Sequence, residues 1–75
     1  MTADEMFKEL GYTKEKEDKN RIIYKRHNKT RSFEYKVIFE KTTKDVIHLN
    51  RFGYILSLGQ NLTKAINKKV EELGW

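Results

Sequence analysis

Few residues in this chain are of the type that does covalent chemistry, and their spacing sets what they can do. The 75 residues include no cysteine, which removes thiolate nucleophiles, redox pairs and cysteine-based zinc sites. The serines, Ser32 and Ser57, lack the flanking glycines of a nucleophile elbow. His27 and His48 stand too far apart to form a helical metal-binding pair. Gly53 and Gly59 match neither the dinucleotide glycine pattern nor a P-loop, and Glu71-Glu72 end a polar helix face where a general acid has no pocket. No catalytic residue, cofactor, metal or small-molecule substrate is therefore expected. The one stretch with a definite chemistry is basic. Arg21, Tyr24, Lys25, Arg26, Lys29 and Arg31 interleave cations with a tyrosine, the composition that contacts phosphate and stacks on a base when the ring faces outward.

The charge distribution sharpens that address. Between residues 14 and 31 eight basic side chains face three acidic ones, so this segment holds the whole formal net charge of +5. Such a concentration attracts anionic partners over long range, although a solvated loop and hairpin has the same composition.

The elements that must carry these residues follow from periodicity. Thr2-Ala3-Asp4-Glu5 reads as a capping box opening a helix over residues 3–10, with Met1 and Met6 placed as a hydrophobic staple. Gly11 stops the helix and Tyr12 folds back towards Phe7. Residues 13–20 are polar and charged and read as a loop. Arg21–His27 is rich in β-formers and reads as a strand. Ser32–Glu40 alternates cleanly, with Phe33, Tyr35, Val37 and Phe39 on one face. Val46–Asn50 makes a third strand, Ile47 and Leu49 on one side, Val46 and His48 on the other. Residues 51–60 read as a short irregular connection. Leu62, Ala65, Ile66, Val70 and Leu73 share one face of a final helix that starts between Ser57 and Asn61. Gly74 closes that helix and Trp75 returns to Val70, the same glycine-plus-aromatic device as Gly11-Tyr12.

The expected fold is α+β: one small domain over residues 1–75, ordered α-β-β-β-α. It is a three-stranded antiparallel meander with both helices packed on one face. The opposite face, with Ile23, Lys25, Lys36 and Ile38, stays partly exposed as a binding surface. The acidic N-terminal residues and the lack of a long apolar run argue against a signal peptide or membrane span, so a cytosolic location is expected.

Two resemblances bear on function. The α-β-β-β-α order is similar to that of double-stranded-RNA-binding domains, which read duplex shape through backbone contacts. Lys64-Ala65-Ile66-Asn67-Lys68-Lys69 loosely resembles their lysine-rich second helix, but Lys68 and Lys69 lie towards the C-terminal half rather than the phosphate-facing N-terminal end. The segments MTADEMFKELGY and KAINKKVEELGW resemble the two ends of small uncharacterised proteins encoded by phages and prophages of Gram-positive bacteria. That resemblance implies a cytosolic accessory protein and brings no catalytic or binding residue with it. The expectation is a non-catalytic accessory protein that binds a host or phage protein by strand addition at a sheet edge or by surface masking. The alternative is a nucleic-acid binder using residues 14–31, and no membrane partner is expected.

Overall fold

The computed structural model describes residues 1–27, Thr30 and residues 33–75, with the side chain of Phe33 outside the description. The chain forms α1 (Ala3–Glu9), β1 (Tyr12–Glu17), β2 (Arg21–His27), β3 (Phe33–Glu40), β4 (Asp45–Asn50) and α2 (Gly59–Leu73). The sheet is antiparallel throughout and its strand order follows the chain, β1-β2-β3-β4.

The expected three strands are thus corrected to four, since residues 12–17 form an edge strand rather than a loop. Only Tyr12 of that strand is buried, and the five residues after it are exposed. An outer strand that buries one side chain has no apolar alternation to read. Its order comes from backbone pairing with β2, interrupted by a bulge between Lys14 and Lys16. The turn into β2 is set by Asp18, whose Oδ1 accepts from the backbone N–H of Asn20 at 2.8 Å and of Arg21 at 2.9 Å.

The capping box forms as the sequence requires: the Glu5 N–H donates to Thr2 Oγ1 at 3.2 Å and the Thr2 N–H donates to Glu5 Oε1 at 2.7 Å. Met1, the outer partner of the expected staple, is largely exposed and borders one surface hollow with Met6. Both glycine stops take the left-handed conformation, with φ of 90° at Gly11 and 75° at Gly74. The Trp75 N–H donates to the Val70 carbonyl at 3.1 Å, and its ring lies 6.2 Å from that of Phe39.

Both helices cover one side of the sheet. Phe7, Leu62, Ala65 and Ile66 meet Tyr12, Ile22, Tyr24, Val37 and Phe39 in a single core. Phe7 stacks on Tyr24 with centroids 4.1 Å apart and meets Phe39 edge-on at 6.1 Å. Beside this core the Asp4 carboxylate gathers three further elements. It accepts from the Tyr24 hydroxyl at 2.5 Å and pairs with Lys14 at 3.3 Å and with Lys69 at 3.6 Å. Lys69 is buried on the inner side of α2, its ammonium 6.0 Å from the Tyr24 ring centroid. Burial opposes ionisation of Asp4, but the Tyr24 hydroxyl, Lys69 and Lys14 outweigh it and hold the carboxyl below its ordinary value. Among the described residues no helix is long and apolar enough to cross a membrane.

Phe7→Ala should cost about 3–5 kcal/mol, a large part of the stability of a domain this small, read from the urea midpoint. Deleting Trp75 should lower the melting temperature by a smaller amount. Because the folded Asp4 carboxyl lies below its ordinary 3.8, its contribution is complete above that pH and is lost as pH falls through the folded value. Asp4→Asn should therefore make the acid limb of stability against pH shallower. It should not abolish the limb, because Glu17, paired with Lys14, and Asp18, holding the turn amides, are lowered too.

Candidate functional site

Two features on opposite sides of the sheet have the character of sites. On the helix side, Tyr12 at the start of β1 and His48 in β4 meet above the β2–β3 pair. The Tyr12 hydroxyl and His48 Nε2 are 2.9 Å apart, and His48 Nδ1 is 3.1 Å from the Ser57 carbonyl oxygen. A carbonyl only accepts, so Nδ1 carries the proton and the neutral ring takes the Tyr12 O–H at Nε2. His48 is only 8% exposed, and this burial pushes its imidazole below the ordinary 6.5 against the smaller opposing effect of the Ser57 carbonyl. Burial likewise raises the Tyr12 phenol, with Arg26 opposing.

This pair forms part of an open cleft of about 310 Å³ whose lining includes Leu10, Arg26, Tyr35, Leu58 and Leu62. The Arg26 guanidinium sits 5.4 Å from the Tyr35 ring centroid. Sequence reasoning missed this constellation. It assigned Val46 and His48 to one side of the strand, but β4 is as apolar on the Ile47–Leu49 side, so periodicity alone does not select the buried one. The pairing of His48 with Val37 selects it, because Val37 belongs to the core face of β3.

The other side of the sheet is uncovered by helices. Ile23, Ile38 and Ile47 lie in one cross-strand row over β2, β3 and β4, each partly exposed. The next row runs through Lys25, Lys36 and Leu49. Ile55 extends this row by bridging to Leu49, which places its side chain on the same side. The 51–58 connection then presents Phe52, Tyr54 and Ile55 at 72, 69 and 81% exposure. The connection also closes part of the β4 edge, since the Asn50 N–H donates to the Tyr54 carbonyl at 3.0 Å and the Leu56 N–H to the His48 carbonyl at 2.8 Å. At the opposite edge, β1 is lined with Lys14, Glu15, Lys16 and Glu17. Strand addition, expected at a free sheet edge, thus meets charges at β1 and a partly covered β4.

The residues expected to touch nucleic acid are dispersed. Tyr24 is 1% exposed, stacked on Phe7 and bonded to Asp4, so its ring is not offered to a base. Arg21 pairs with Glu40 at 3.2 Å. Lys25 faces the open side of the sheet and Arg26 the cleft on the helix side, as adjacent residues of a strand must. Lys29 and Arg31 lie outside the described residues. Among the described residues no group of three or more His, Asp and Glu side chains is placed to hold a metal ion. Comparison with protein-family models, with curated proteins and with solved structures returns no match.

Since the folded His48 imidazole lies below 6.5, the unfolded chain takes up a proton first as pH falls. Stability should therefore drop as pH falls from about 6.5 towards the lower, folded value, and His48→Gln should flatten this limb in urea titrations. Tyr12→Phe, which leaves His48 Nε2 buried without a donor, should cost about 1–3 kcal/mol near neutral pH.

Proposed function

We propose that the chain is a small non-catalytic binding module that docks a partner protein on the helix-free side of its sheet. The carrying observation is the exposure of Phe52, Tyr54 and Ile55 within four residues, continuous through Ile55 and Leu49 with the partly exposed row of Ile23, Ile38 and Ile47. A small domain gains nothing in stability from three large apolar side chains held in water, and such a cluster on a surface marks an interaction site. The sheet beneath supplies a rigid base, and the resemblance to small phage and prophage proteins supplies a setting, a bacterial cytosol in which a host or phage protein is the target. Contact through side chains on a face fits the masking mode of action better than strand addition, given the state of the two edges.

Combined substitution of Phe52, Tyr54 and Ile55 by serine should leave the melting temperature nearly unchanged, because exposed positions shift stability by roughly 0.5 kcal/mol or less. The same variant should lose the proteins that the wild-type chain captures specifically from host lysate. Identical capture by both would overturn the proposal. DNA or RNA binding that appears at low salt and falls steeply as salt rises, followed by fluorescence anisotropy, would favour the basic 14–31 segment instead.

A further inference from the structure

The cleft on the helix side is not used by that docking face and carries a separate inference. Its charged group is Arg26, which among the described residues has no carboxylate partner, whereas Arg21 five residues earlier is paired with Glu40. Arg26 is exposed, and its guanidinium rests by the Tyr35 ring. A guanidinium braced on an aromatic face keeps its N–H edges available for a planar, two-pronged acceptor. The remaining wall combines hydrocarbon from Leu10, Leu58 and Leu62 with the uncharged amides of Gln60 and Asn61. We propose that this cleft binds a small organic monocarboxylate, with the carboxylate on Arg26 and an alkyl or aryl body among the leucines.

Among the described residues one cation without a carboxylate partner calls for one negative charge, and the leucine side of the cleft favours a hydrocarbon body over inorganic phosphate. The volume of about 310 Å³ stands at the small end of ligand pockets, which suits a compact acid. The Tyr12–His48 pair gives the site a pH response. While His48 is neutral, Tyr12 spends its proton on Nε2 and offers the cleft only lone pairs. When the ring is protonated, Nε2–H donates to the Tyr12 oxygen, and the phenol O–H is released to point at the carboxylate. The groups facing His48 are Tyr12 from β1, Arg26 across the cleft from β2 and Tyr35 from β3. The 57–61 segment adds the Ser57 carbonyl and the uncharged Gln60 and Asn61. Among the described residues lining the cleft Arg26 is the permanently charged one, and a bound carboxylate adds the negative charge that favours a protonated His48.

The test is a nitrogen-15 NMR titration of the full chain with sodium benzoate, with benzamide and inorganic phosphate at matched ionic strength as controls. Benzoate should shift the amides of Tyr12, Arg26 and Gly59–Asn61 saturably, with Kd on the order of 1 mM, and the controls should not. Arg26→Gln, an exposed substitution that should keep a dispersed spectrum, should weaken benzoate at least tenfold. Benzoate should bind several-fold more tightly at pH 5.5 than at pH 7.5 and raise the His48 titration midpoint, and His48→Gln should remove the pH dependence but not the Arg26 dependence. An N-acetylated peptide ending in phenylalanine, with free or amidated C-terminus, separates a protein chain end from a free acid as the source. Tighter binding of the free-ended peptide than of benzoate points to the former. Absence of saturable shifts at the cleft, or equal benzoate affinity in Arg26→Gln, would overturn the inference without touching the docking face on the other side.

Discussion

The carboxylate of Asp4 is the point through which the rest of the structure is tied. One side chain from the first turn of α1 engages the hydroxyl of a core tyrosine on β2, a lysine on edge strand β1 and a buried lysine on α2. Each of those groups has a reason to be somewhere else. Tyr24 buries a phenol that burial and the neighbouring Asp4 charge keep firmly protonated, and Lys69 sits where a hydrocarbon side chain is the ordinary choice. The carboxylate compensates both, and in doing so fixes how far α1 and α2 stand from the sheet. The Ala3 N–H donating to Glu72 Oε2 at 2.8 Å adds a second tie between the same two helices. A core of five strand side chains and a few helical ones specifies little alone, and this polar seam at its margin supplies the register.

That seam explains why some of the molecule is legible in the sequence and some is not. Local devices are legible because they need only neighbours: the Thr2–Glu5 box, the two glycine stops with their aromatic returns, the alternation of Phe33–Glu40 and the apolar stripe of α2. The strand β1 is not, because its order is supplied by the partner strand and its charges protect an edge rather than mark a loop. Lys69 reads as one more surface cation until Asp4, distant in sequence, is brought beside it. Tyr24 sits within a cationic run that suggests an outward stacking ring, yet alternation with Ile22 places it in the core.

The strand β4 shows the same limit on the functional side. Its Val46–His48 side faces the core although Ile47 and Leu49 are at least as apolar, so the pleat places a histidine inside and leaves branched side chains outside. One choice of register thereby creates both surfaces of interest: the Tyr12–His48 pair under the helices and the isoleucine row opposite. The two are coupled through a rigid strand but use different side chains, so each can change in sequence without dismantling the other.

The strand order has a kinetic consequence. Every strand pairs with its neighbour in the chain, so the sheet assembles from hairpins whose loop-closure cost is small. The core does not, because its helical cover comes from the two ends, joined by a contact spanning 69 residues. Until α2 arrives, the aromatic side of the sheet has only the two turns of α1 to shield it. Completing the core therefore requires the long-range docking of residues 62–73, a closure entropically costlier than pairing neighbouring strands.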